Sequence, residues 1–154
     1  MHVLFVCTGN ICRSPLAEAL LRRELDRRGL DGIDVSSAGT GAWEGTPASE
    51  GAYLVGLEHD LDLSSHRARL LTRERVGESD LILTMARHHR LRAEDLGARN
   101  RATLLGDYVG LSGDRAEVAD PFGSDIEVYR ETYEQLEDMI TAAVDRLERE
   151  GNEA

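Results

Sequence analysis

Cys7 and Arg13, separated by Thr8-Gly9-Asn10-Ile11-Cys12, are the residues of this chain best spaced to do chemistry together. A short turn containing Gly9 can curl until successive backbone N–H groups face one concavity, an anion site before any side chain is added. Ser14-Pro15 reads as a helix start, with serine at the N-cap and proline at the first helical position. The positive end of that helix would add to the concavity, and the Arg13 guanidinium could offer a planar fork to two phosphate oxygens. An ordinary thiol, with a pKa of ~8.5, is only about 3% thiolate at neutral pH, yet helix N-termini and neighbouring arginines lower such values to ~3.5–7.5. The donors that would hold a phosphate therefore also favour an ionised sulfur above it. Cys-x5-Arg alone is a loose pattern, and Cys7 could be a small buried hydrophobe with Arg13 a surface charge. Placement between an apolar strand and a helix start is what makes the pattern specific. Thiolate attack on a phosphate ester also needs an acid for the departing oxygen. Asp120, held extended before Pro121, is the candidate, although Asp120-Pro121-Phe122 is equally readable as a turn leading into the next helix.

These residues need elements to hold them. Val3–Val6 is a continuous apolar run suited to a strand buried on both faces. Leu16, Ala17, Leu20, Leu21 and Leu25 recur at helical spacing, and Gly29 makes a C-terminal stop. Ile33–Ser37 predicts a second strand, followed by a glycine-rich stretch, 39–47, that holds the single tryptophan, Trp43. A helix is expected over 48–58, a Thr72-capped helical piece after it, and strands over 81–84 and 102–105. Residues 87–95 read as helical with His88 and His89 on a solvated face, and 106–119 read as mostly loop. Ser124-Asp125-Ile126-Glu127 fits a capping box. Behind it Ile126, Tyr129, Tyr133, Leu136, Ile140, Val144 and Leu147 form one helical stripe. Alternating strands and helices predict an α/β fold: a single-domain, four-stranded parallel sheet with helices on both faces, spanning 1–150 with a short tail at 151–154.

Composition narrows the partners. The 154 residues carry 29 acidic and 18 basic side chains, a net charge of −11, and every basic residue is arginine. That acidity argues against nonspecific nucleic-acid binding and against an anionic membrane surface. The absence of lysine removes Schiff-base chemistry and any loop ending Gly-Lys-Ser/Thr. Cys7 and Cys12 are too few for a disulfide scaffold, and His2, His59, His66, His88 and His89 show no zinc-ligand spacing, so neither a metal nor a cofactor is expected. No apolar run approaches a membrane span of ~20 residues, and the opening Met1-His2-Val3 lacks a basic leader. A soluble, reducing, cytoplasmic setting is the expectation.

With Val3-Leu4-Phe5-Val6-Cys7-Thr8-Gly9-Asn10-Ile11-Cys12-Arg13-Ser14-Pro15-Leu16-Ala17-Glu18-Ala19 in view, the chain resembles the low-molecular-weight protein tyrosine phosphatases. Ser37-Ala38-Gly39-Thr40, Ser65-His66-Arg67-Ala68-Arg69 and Asp120-Pro121-Phe122 extend the likeness along its whole length. The resemblance implies a two-step mechanism through a phosphocysteine, with phosphorylated proteins as substrates and Thr8–Ser14 as the phosphate-binding loop. By family role Cys7 is the nucleophile, Arg13 binds phosphate, and Asp120 is first acid and then base. Asn10, Ser14, Ser37 and His66 match a hydrogen-bond network that shapes the loop; on residues alone His66 reads as an ordinary half-buried histidine. Cys12 matches a second loop cysteine that can form a reversible disulfide with the nucleophile.

Substrate choice is where alternatives open. Related arsenate reductases use further cysteines, which this chain lacks, and a non-catalytic phosphopeptide-binding module would have no use for Cys7, Arg13 and Asp120 together. Asp120-Pro121-Phe122-Gly123 resembles the protein arginine phosphatases of the same family, which typically have threonine at the position of Ile11. A branched apolar wall at Ile11 suits a phenyl ring, and phosphotyrosine is the expected substrate with phosphoarginine the alternative. Phe122 and Trp43 are further candidates for the substrate wall, Trp43 alternatively being an apolar anchor for its loop.

Overall fold

The computed structural model describes residues 1–153. Strand β1 (His2–Cys7) leads to helix α1 (Arg13–Arg27), β2 (Asp34–Gly39), α2 (Glu50–Glu58), α3 (Arg73–Gly77), β3 (Leu81–Thr84), α4 (Arg87–Asp95), β4 (Ala102–Leu104), α5 (Leu105–Tyr108) and α6 (Ile126–Glu153). The strands pair in the order β2-β1-β3-β4, all parallel. Phe5 and Val6, central in β1, stand opposite Ser37 and Ala38 on one side and Leu83 and Thr84 on the other.

Parallel strands are covered on both faces, and two clusters do the covering. Val3 and Phe5 point into the larger one, where Leu16, Leu20 and Leu21 of α1 meet Tyr133, Leu136, Ile140 and Val144 of α6. Leu4 and Val6 point the other way, onto Val76 of α3 and Ala93 of α4. This alternation is the pleat of a strand with two dry faces. The stripe expected on the last helix is thus its buried side, although α6 continues through Glu153, past the point where a tail is expected.

Three local expectations need correction. Serine does not cap α1: the helix begins at Arg13 with Cys12 as an N-cap that makes no side-chain cap bond, and Ser14, inside the first turn, turns its hydroxyl to Cys7 Sγ. At α6 the Asp125 carboxylate, not Ser124, accepts from the Val128 amide at 3.2 Å. The segment 106–119 is less irregular than expected, since it contains most of α5 and a 3-10 turn at Gly113–Ala116. Thr72 and Gly29 behave as read: Thr72 Oγ1 accepts from Arg75 N, and Gly29 takes a positive φ of 65° just past α1.

The sheet order fixes where a ligand would sit. From β1 the chain crosses to one side to form β2, and from β3 to the other side to form β4. The loops leaving the carboxyl ends of β1 and β3 therefore diverge and leave a crevice between them, the topological switch point of open α/β sheets. Residues 8–12 lie on one side of that crevice and the start of α4 on the other.

Candidate active site

The loop from Cys7 to Arg13 is held by its carbonyls. Thr40 N donates to Cys7 O at 3.0 Å, Gly41 N to Thr8 O at 2.9 Å, and Ser49 N to Ile11 O at 2.8 Å. The Asn10 carbonyl accepts from His66 Nε2 at 2.6 Å, so the imidazole carries its proton on that nitrogen. Burial holds this histidine below its usual pKa. Among the described residues, no protein acceptor takes the amides of Gly9, Asn10, Ile11 or Cys12. Buried amides are rarely left unspent, and four in succession at a helix N-terminus leave a ring of donors for an anion. The loop turns at Asn10, whose φ of 57° lies in the left-handed region that asparagine tolerates better than most residues.

The Asn10 side chain organises the interior of the loop. Its Nδ2 donates to Ser14 Oγ at 2.8 Å and to Ser37 Oγ at 2.9 Å, while Oδ1 accepts from Arg69 N at 2.9 Å. Both N–H donors and one lone pair of the oxygen are used, in a fully buried side chain. Because Ser14 Oγ accepts from Asn10, its own proton is free for Cys7 Sγ, 2.9 Å away. A thiolate accepts such a bond better than a thiol does. Ser37 in turn donates to Glu18 Oε1, and Glu18 is paired with Arg22 one turn along α1. The chain Asn10–Ser14–Cys7 thus starts from a carboxylate-anchored hydroxyl. Glu18 was not among the expected site residues. Its spacing of four from Ser14, on one helix face, is the signal that could have found it.

Arg13 is 4% exposed, yet it is only partly satisfied. Nη1 donates to Val118 O at 2.9 Å, Nη2 reaches Thr8 Oγ1 at 3.5 Å, and Nε has no partner. Asp120 stands at the mouth, with its half-exposed carboxylate 3.7 Å from Arg13 Nη2 and its other oxygen accepting from Phe122 N at 3.0 Å. The turn reading holds, and the Asp-Pro turn places the carboxylate at the mouth of the loop. Cys12 Sγ lies 3.1 Å from Ser49 Oγ and 3.4 Å from Tyr129 OH, and burial pushes its thiol above the usual value. Both cysteines are buried free thiols.

The proposed wall residues separate. Ile11 is half-buried against the core, while Phe122 is 64% exposed beside a shallow apolar cleft lined by Leu54, Ile126 and Tyr129. Trp43 is 83% exposed, so it anchors nothing in its own loop. The solvated face expected at His88-His89 is wrong for one of the two. His88 is exposed, but His89 is fully buried against the loop, at 2.8 Å from Thr8 Oγ1. Among the described residues, no group of three or more metal-ligating side chains converges, and no helix is long and apolar enough to cross a membrane.

Comparison with known proteins agrees with this geometry. A protein-arginine-phosphatase of Bacillus subtilis is 36% identical over 97% of this chain and 99% of its own length. The low molecular weight protein-tyrosine phosphatase A of Mycobacterium tuberculosis is 37% identical over 98% of this chain and 96% of its own. Among solved structures, a cysteine-to-serine mutant of the YwlE arginine phosphatase with a phosphorylated active-site serine superimposes with a TM-score of 0.90 at 35% identity, covering 96% of each chain. The family model described as low molecular weight phosphotyrosine protein phosphatase matches residues 2–153. Matched from residue 2 to residue 153 and 36% identical to a relative over nearly its whole length, the chain belongs to the low molecular weight phosphotyrosine protein phosphatase family.

Proposed function

We propose that this chain hydrolyses phosphorylated side chains of proteins through a phosphocysteine at Cys7, with phosphotyrosine as substrate. The observation that carries the reading is the loop itself. Its carbonyls are tied down by Thr40, Gly41, Ser49 and His66, its amides and Arg13 Nε are unspent, and the cysteine sulfur receives the Ser14 hydroxyl. In the first step the Cys7 thiolate attacks phosphorus, the P–O bond to tyrosine breaks, and Asp120 gives its proton to the departing oxygen. In the second, water attacks the phosphocysteine, Asp120 takes the water's proton, and inorganic phosphate leaves with Cys7 again a thiolate. Arg13 and the loop amides hold the three equatorial oxygens throughout. A reducing cytoplasmic compartment suits two free thiols at the site.

The tyrosine reading rests on Ile11, a half-buried apolar wall, and on the apolar cleft beside Phe122. Phosphoarginine, in which a P–N bond is broken, is favoured by Asp120-Pro121-Phe122-Gly123 and by the likeness to the protein-arginine-phosphatase of Bacillus subtilis. Turnover of p-nitrophenyl phosphate in the presence of EDTA tests the chemistry: activity is expected to persist with chelator and vanish in Cys7→Ser. No turnover, or loss on chelation alone, refutes the mechanism. Matched phosphotyrosine and phosphoarginine peptides then decide the substrate. Native protein should prefer the first and Ile11→Thr should shift toward the second; the reverse native preference makes this an arginine phosphatase.

A further inference from the structure

The Asn10 network accounts for the inner side of the loop but leaves Thr8, on its outer rim, to a different partner. Thr8 Oγ1 lies 2.8 Å from His89 Nε2 and 3.5 Å from Arg13 Nη2. A guanidinium only donates, so Thr8 Oγ1 accepts from Arg13 while its second bond, to His89 Nε2, fixes where the hydroxyl sits. Nε2 is the ring's one hydrogen-bonded nitrogen; Nδ1 is buried without a partner. An apolar side chain would fill this place in α4 without orphaning a buried nitrogen, so the value of the imidazole lies in what Nε2 holds. Burial, with His88 and Arg13 beside it, pushes the His89 pKa down to about 3, which keeps the ring neutral near neutral pH, with a single bond to Thr8.

The consequence falls on Arg13. Its guanidinium is held at Nη1 by Val118 O, Nη2 faces Thr8 Oγ1 at 3.5 Å from inside and the Asp120 carboxylate at 3.7 Å at the mouth, and Nε is the free corner. We propose that His89 is a positioning residue of the loop: acting through Thr8, it fixes the plane of the Arg13 guanidinium before the phosphoryl group arrives. The proposal rests on the phosphate-binding reading of the loop. It also gives the switch-point crevice a use, since α4 after β3 reaches across to steady the loop after β1.

His89→Leu keeps the buried volume and removes the hydrogen bond to Thr8. It is expected to lower kcat for p-nitrophenyl phosphate by about tenfold or more, because small misplacements of positioned groups are costly, and to weaken competitive inhibition by inorganic phosphate several-fold. KM should change less than kcat, since the fork is used most fully in the transition state. His89→Gln, whose amide can offer either a donor or an acceptor near the position of Nε2, should recover most of the loss. Thr8→Val should match His89→Leu, and the double variant should be no worse than either single one. A folded His89→Leu with native kinetics, or losses that add in the double variant, overturns the proposal. Should His89→Leu not fold, the same decision falls to Thr8→Val: native-like kinetics in it overturn the proposal, and a kcat loss that His89→Gln does not deepen in that background supports it. Native protein that neither turns over the ester nor binds phosphate would instead sink the loop reading, and this proposal with it.

Discussion

At the scale of single residues, asparagine at position 10 does two separable jobs. It accepts a left-handed φ of 57°, and its amide joins Ser14, Ser37 and the Arg69 backbone. Glycine takes the same backbone conformation without strain but has no amide. Asn10→Gly should therefore keep the fold and lose about 10- to 100-fold in kcat/KM, read from steady-state kinetics, as expected when a reacting group loses its orientation. Native-like rates in that variant would mean that the turn, not the network, is what the site requires. Cys12 carries a second prediction. Burial raises its pKa against the pull of Ser49 and Tyr129 and keeps it protonated, so it is a slow partner for an oxidised Cys7, five positions away in the same loop. If Cys7 sulfenic acid condenses with the Cys12 thiol, releasing water, activity after peroxide should return on adding a thiol reductant. Cys12→Ser should recover less, and equal recovery would remove the protective role.

Among the elements, the exit of β2 is the tightest fit against the loop. A Cβ at Gly39 would lie 2.4 Å from Thr8 O and 2.9 Å from Asn10 N, both backbone atoms that cannot step aside. Gly39→Ala is expected to lower stability by about 1–3 kcal/mol, the usual cost of overpacking, and to lower turnover as well, measured by urea unfolding and initial rates. Unchanged stability would mean the loop is looser than this packing implies. Local patterns predicted α4 to the residue and the strand–loop–helix of the site almost as well, because hydrophobic periodicity and the run from Val3 to Ala17 are local signals. Ser14-Pro15 misled for a physical reason. Serine ahead of proline is a cap signal, but here the hydroxyl is committed to a sulfur seven positions away in sequence. His89 misled for a larger one. Residues 87–95 are so polar that no apolar stripe appears, and its burial comes from a loop 81 positions away that only the sheet order brings near.

For the molecule as a whole, the two diverging loops at the switch point couple the site to stability. A histidine that titrates at its usual 6.5 when unfolded and at about 3 when folded binds its proton more readily in the unfolded chain. Its contribution is therefore fully present above pH 6.5 and is lost as pH falls from 6.5 toward 3. Between pH 7 and pH 5 the loss amounts to about 2 kcal/mol. Denaturant titrations should show a steeper fall for native protein than for His89→Gln over that interval; parallel curves would place His89 in water. The acidity of the chain, at −11, leaves the local positive field of Arg13 and the α1 N-terminus as the attraction for a phosphate dianion.

The central claim is that phosphorus bonds to the Cys7 sulfur during turnover. p-Nitrophenolate leaves without help from an acid, so rapid quenching of Asp120→Asn with this ester should accumulate the intermediate, since the step that needs a base is the slower one. Peptide mass spectrometry should then find one phosphoryl group on Cys7. A quenched enzyme that turns over the ester while Cys7 stays unmodified, or whose phosphoryl group sits on Cys12 or Ser14, would contradict it.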